Sequence, residues 1–122
     1  MAVARSLVFF GLPDSELLRA AVAAGFPVAA EVFADRAYDP DGSLTSRSKP
    51  GSVIHDAQKV VARAVRMVRE KQVIAVDGST TALRADTICL HGDAPGAADL
   101  ARVIRKSLEE AGIQIRQIGD HS

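Results

Sequence analysis

The sequence has little of what usually commits a chain early. It contains one cysteine, Cys89, one tyrosine, Tyr38, and no tryptophan. A lone cysteine excludes an internal disulfide and suits a reducing compartment. Neither charge sign is in excess: 15 basic residues face 15 acidic ones. Such a balance gives no electrostatic footprint for nucleic acid or for an anionic membrane surface. The apolar run near the N-terminus, Leu7 to Phe10, is too short for a signal-peptide core or a membrane span. A cytoplasmic location is therefore expected. No CxxC, HExxH, GxSxG or phosphate-loop pattern occurs, and His55 and His121 lack metal-ligand spacing. No metal site built from this chain alone is expected.

What is present is an ordinary globular balance, 48% apolar and 25% charged over 122 residues, consistent with one domain at most. Leu7 to Phe10 reads as a buried strand ended by Gly11 and Pro13. Asp14 and Ser15 offer caps for a helix with Leu17, Leu18, Ala21 and Ala24 on one face, stopped at Gly25. Val28 to Phe33 is the next strand. A long polar loop runs to about His55, and Asp56 can cap a second helix reaching about Lys71. That helix carries the stripe Ala57, Val60, Val61, Ala64, Val65 and Val68. Its basic residues Lys59, Arg63, Arg66 and Arg69 read as the solvated side. Val73 to Val76 is a short strand, with a turn at Asp77-Gly78, and Thr87 to His91 is another. A third helix follows "GDAPGAAD", with Ala97, Leu100, Ala101, Ile104 and Leu108 as its stripe and Gly112 as its stop. Ile113 to Ile118 alternates like a last strand. Strands alternating with helices predict a parallel α/β sheet, whose functional residues gather at strand C-termini.

Two strand ends carry charge. In Val28–Phe33 alternation sets Ala29, Glu31 and Phe33 on one face. Glu31 is then a carboxylate inside a strand expected to be buried, which needs a partner or a shifted pKa. It is either a site residue or half of a structural ion pair with Arg36. Asp35 and Arg36 are adjacent and diverge, so one can meet a ligand while the other braces the loop. Arginine suits a carboxylate or phosphate. Arg47 and Lys49 add cations to the same loop, as contacts or as solvated residues. His91 and Asp93 follow the later strand. A histidine there suits general acid–base chemistry, and Gly92 and Gly96 allow close backbone approach. The structural alternative makes Asp93 a helix cap. Cys89 reads as a core thiol.

The stretches "EVFADRAYDPDGSLTSRSKPG" and "ICLHGDAPGAADLARVIRKSLEEAGI" together resemble the C-terminal half of the LamB/YcsF family, the A subunits of 5-oxoprolinase. The resemblance runs from about Phe10 to Ile115. It rests on Glu31, Phe33, Ala34, Asp35, Arg36, Tyr38, Gly42, Leu44, Arg47 and Gly51, and then on Cys89, His91, Gly92 and Asp93. It implies about half of a seven-stranded (β/α) barrel of the glycoside hydrolase/deacetylase type. It also implies a hydrolase that acts with partner subunits B and C, opening 5-oxoproline to L-glutamate with ATP. Under this resemblance Glu31, Asp35, His91 and Asp93 are the expected catalytic residues. Arg36, Tyr38, Arg47 and Gly92 are the expected substrate contacts. The Asp-Leu-Asn-Cys-Asp, His-Ala-Gly-Asp and Lys-Pro-His-Gly-Ala-Leu-Tyr motifs of the family are absent. The expectation is therefore a truncated form, inactive alone, with open sheet edges that favour a homo-oligomer or a complex. Two other readings stand beside it: a non-catalytic binding or assembly module, and a deacetylase-like hydrolase by fold analogy.

Overall fold

The computed structural model describes residues 7–90 and 96–117. The elements run β1 (Phe9–Gly11), α1 (Glu16–Ala23), β2 (Val28–Phe33), α2 (Ala57–Glu70), β3 (Gln72–Ile74), β4 (Thr80–Ala82), β5 (Thr87–Cys89) and α3 (Ala97–Glu110). Strands alternate with helices as expected. β1, β2 and β5 form a parallel sheet with β2 in the middle.

Two elements depart from the expectation. The turn at Asp77-Gly78 returns the chain as β4, antiparallel to β3, in a separate two-stranded sheet. Gly78 takes φ 85°, the left-handed region a tight turn requires. The anticipated strand from Ile113 is not one through residue 117, and Ile118 lies outside the described residues. The reason is local: Ile113 closes the end of α3. Its N–H donates to the carbonyl of Leu108, and that of Gly112 to Glu109, at 3.0 Å each. Gly112 sits at φ 83° between them, the Schellman arrangement. The same device ends α1, where Phe26 N–H reaches Ala21 and Gly25 N–H reaches Val22.

Side chains cap the starts of α1 and α2, while α3 starts at Gly96 without one. Ser15 Oγ accepts from Leu18 N–H, and Asp56 Oδ1 accepts from the Gln58 and Lys59 amides. Helix α2 buries Val60, Ala64 and Met67, a spacing of four then three that makes one stripe. Helix α3 buries Ile104 and Leu108. These residues meet Val32, Ala34, Tyr38, Val73 and Leu83 in one core, with Ile88 and Leu90 packed against it.

This core determines which way the sheet faces. Val32 and Ile88 pair in register and point to α2 and α3. Gly11 and Ala30, also in register, point to α1, where a Cβ on Gly11 would meet Leu18 at 3.2 Å. All three helices thus lie on one side. By alternation, Phe10, Ala29, Glu31, Phe33, Thr87 and Cys89 share the other side. Phe10 there is 43% exposed.

Met67, fully buried in this core, was absent from the stripe expected for α2. Met67→Ala removes a side chain from a closed site and is expected to cost about 2–5 kcal/mol of stability. Urea unfolding checks this; a loss below about 1 kcal/mol would show the core to be looser than described.

Candidate functional site

The site grows from the C-terminal end of β2. Register places Glu31 beside Thr87 and Phe33 beside Cys89 on the face away from the helices. Cys89 is therefore not the core thiol expected, since Ile88 and not Cys89 joins the core. Its pKa is raised by burial first, then by the negative charge of Glu31 and a hydrogen bond to it, and last by the charge of Asp35. Glu31 is therefore near enough for its carboxylate to act on the thiol. Glu31, Asp35 and Cys89 thus form one cluster at neighbouring strand ends. Of the four expected catalytic residues, Glu31 and Asp35 lie among the described residues, and the charge of each acts on Cys89. His91, Gly92 and Asp93 lie outside the described residues.

The loop after β2 is built as a frame and not as an open strap. Ala37 N–H donates to Ser52, Thr45 N–H to Ala37, and Ile54 N–H to Asp35, at 2.8–2.9 Å. Short antiparallel bridges join Arg36 with Val53 and Tyr38 with Leu44. The hairpin seats on it through Val76 N–H to Tyr38 O at 2.9 Å and Thr81 Oγ1 to Pro40 O at 3.0 Å. Asp39 Oδ1 accepts from Thr45 Oγ1 at 2.7 Å.

Two expected substrate contacts are spent inside this frame. Tyr38 is wholly buried, and its hydroxyl accepts from Phe33 N–H at 3.0 Å. Burial raises its pKa; the Phe33 bond and the charges of Arg63 and Arg36 oppose that rise. Arg36 is 7% exposed and donates to Thr45 O at 2.9 Å. Of the adjacent pair, Arg36 is the one that braces the loop. It forms no salt bridge with Glu31, whose carboxylate instead acts on the Cys89 thiol. Arg47 is exposed, and its carbonyl accepts from Ser52 Oγ at 3.3 Å.

One residue the sequence did not single out holds the site in place. Arg63 of α2 reaches the loop's backbone, donating to Ala34 O at 2.9 Å and to Arg36 O at 2.5 Å. These carbonyls flank Asp35. Burial lowers the pKa of Arg63, against the attraction of Tyr38 and Asp35. The basic stripe of α2 is therefore not uniformly solvated: Lys59 and Arg69 are exposed, and Arg66 pairs with Glu70 at 3.1 Å. Spacing alone cannot separate Arg63 from its neighbours; only its position opposite the β2 terminus does.

Chemically, the cluster offers two carboxylates and a thiol held in its protonated form. It suits accepting and handing on protons more than nucleophilic attack by sulfur. Among the described residues no group of His, Cys, Asp or Glu could hold a metal ion. No helix among them is long and apolar enough to cross a membrane.

The profile of the LamB/YcsF family matches residues 1–122. The chain belongs to the LamB/YcsF family. It is 52% identical over 114 residues to the 5-oxoprolinase A subunit of Rhodopseudomonas palustris (strain BisB18), a match that covers 93% of this chain and 45% of that protein. It is 54% identical over 115 residues to the 5-oxoprolinase A subunit of Paracidovorax citrulli (strain AAC00-1), covering 94% and 46%. The crystal structure of the lactam utilization protein from Thermus thermophilus superposes with a TM-score of 0.85 at 43% identity, over 94% of this chain and 45% of that one. This LamB/YcsF chain thus spans about half the length of the relatives it matches.

Two outcomes test the geometry. Arg63→Lys loses the planar fork that reaches both carbonyls, and is expected to destabilise the protein by about 1.5–3 kcal/mol. It should also raise hydrogen exchange in residues 35–54 relative to α3. Equal protection in both regions would refute the clamp. For Cys89, a raised pKa means less thiolate than an ordinary cysteine at about pH 8.5, and so slow alkylation by iodoacetamide. Glu31→Gln removes the negative charge and is expected to speed alkylation several-fold at that pH. The rate–pH curve should shift to lower pH. An unchanged or slower rate would remove Glu31 from the thiol's environment.

Proposed function

We propose that this chain supplies part of the site of an ATP-dependent 5-oxoprolinase, working with partner subunits B and C to convert 5-oxoproline to L-glutamate. The supporting observation is Glu31 beside β5 on the sheet face free of helices, with Asp35 just past the end of β2, both carboxylates acting on the Cys89 thiol. The names of the relatives support the substrate and the partner subunits. We further propose that the β1-β2-β5 sheet forms one side of a (β/α) barrel, the helix-free face turned inward.

In this reading the carboxylates Glu31 and Asp35 orient water and take up its proton as it adds to the activated lactam carbonyl. The lactam nitrogen leaves with a proton from the same groups, or from His91 and Asp93. Cys89 keeps its proton and fixes the orientation of Glu31. Arg63 holds the Asp35 backbone in place, and positioning of this kind carries much of a catalytic rate. Arg47, exposed on the loop, and Gly92 remain as substrate contacts; Arg36 and Tyr38 act as the frame.

ATP does not fit this face. Phe10, Ala29, Glu31, Phe33, Thr87 and Cys89 include no cation, and the Glu31 carboxylate would repel a triphosphate. In this reading ATP binds elsewhere in the assembled complex.

The test is glutamate release by the assembled complex, given 5-oxoproline and ATP. Glu31→Gln and Asp35→Asn are each expected to lower kcat by at least about 100-fold, the usual scale for a general acid or base. Co-purification of the subunits should be unaffected. Full activity of both variants would overturn the site. Absence of activity in the unmodified complex, with assembly intact, would overturn the reaction.

A further inference from the structure

Away from the carboxylate face lies an open groove of about 600 Å³, bounded by β3, the outer side of α2 and residues 51–56. Its floor and sides are largely apolar, including Val53, Ile54, Ala62, Val73 and Ile74. Lys59, Arg63, Arg66 and His55 line it as well; Asp56 is the one acid there, and its carboxylate caps the Gln58 and Lys59 amides.

One wall is an unpaired strand edge. Leu83 N–H donates to Lys71 O and Ala75 N–H to Ser79 O, each at 2.8 Å. Residues 71 with 83 and 75 with 79 are thus hydrogen-bonded pairs of the β3-β4 ladder. Alternation then turns the N–H and C=O of Gln72 and Ile74 outward, away from β4. Among the described residues nothing accepts from or donates to them. The next residue of that parity, Val76, does point outward and is satisfied, by Tyr38 O at 2.9 Å. The protein therefore closes this edge at Val76 and leaves it open at Gln72 and Ile74. Ile74 is 45% exposed.

We infer that the groove binds an extended acidic segment of another protein by strand addition to the outer edge of β3. The four outward backbone groups supply the ladder, and the apolar walls take alternate side chains. Arg63 is bonded to the loop carbonyls and Arg66 is paired with Glu70, so the exposed Lys59 leads in selecting Asp or Glu over Lys or Arg. The inference uses none of the carboxylate-face residues, and it stands whether or not the proposed reaction is correct.

The experiment uses the 122-residue chain and a capped seven-residue peptide alternating Glu and Val. Amide shifts in nitrogen-15 spectra report binding. Saturable shifts are expected at Gln72, Ile74 and Lys59, with affinity falling as salt rises. Three controls are expected to bind at least about tenfold more weakly, one tenfold step being the resolvable unit of affinity. They are the peptide with Lys for Glu, the peptide N-methylated at alternate amides, and the original peptide with the Lys59→Glu/Arg66→Glu protein. A native-like spectrum of that variant keeps the comparison valid, and Lys59→Gln alone serves if it unfolds. No saturable shift at Gln72 and Ile74, or equal binding of the N-methylated peptide, would overturn strand addition. Equal binding of the Lys peptide would overturn the acidic preference. Shifts on adding ATP with none on adding the peptide would make the groove a small-anion site instead.

Discussion

The Arg63 guanidinium, seated against two backbone carbonyls, is the contact on which the site's geometry depends. A parallel strand that ends leaves carbonyls to which no neighbouring strand donates, and the 34–56 loop puts few side chains into the core, Ala34 and Tyr38 chief among them. Something must fix where that loop departs. Arg63 does so by reaching across from α2 to Ala34 O and Arg36 O, on either side of Asp35. Desolvating a guanidinium is costly, as its lowered pKa records. Two charge-assisted hydrogen bonds and the attraction of Asp35 and Tyr38 offset that cost. Helix α2 is in turn held by Val60, Ala64 and Met67 in the core, so apolar packing sets where the chain carries Asp35 past the end of β2.

This arrangement separates charge by layer. Arg36 and Arg63 bond to backbone carbonyls of the loop, while Glu31 and Cys89 project from the opposite face of the strand. The neighbour that feels Glu31 is a thiol and not a cation, so no salt bridge ties this carboxylate into the loop frame.

Much of this was legible in the sequence, for reasons that particular residues show. The β2 strand, its alternation and the stripes of α2 and α3 follow from periodicity, and Gly25 and Gly112 mark helix ends because only their left-handed conformation closes a Schellman turn. The face shared by Glu31 and Cys89 was not legible, since it needs the β2–β5 register as well as alternation within each strand. Strand β4 was not legible: Thr80-Thr81-Ala82 is three residues long and mostly polar, and it exists only because the turn at Gly78 folds it back on β3. The directions of Arg36 and Tyr38 were hidden too. Charge and family pattern mark both as important, yet only the packed loop shows that one bonds Thr45 and the other Phe33. Arg63 was least legible, because a helical stripe of cations looks the same whether its members face water or a strand end.

Tyr38 shows how closely the parts are tied. Its hydroxyl accepts from Phe33 N–H at the end of β2, and its carbonyl accepts from Val76 N–H just beyond β3. One fully buried ring thus bonds the carboxylate-bearing strand on one side and the hairpin on the other. Shifting the hairpin breaks a buried backbone bond or moves the ring, and moving the ring strips the Phe33 amide of its acceptor. Either costs about 1–3 kcal/mol for the group left unsatisfied, a large fraction of a small domain's stability. The hairpin and the strand end consequently behave as one stiff unit. That stiffness accounts for a long stretch of largely polar sequence forming a defined loop at the mouth of the sheet.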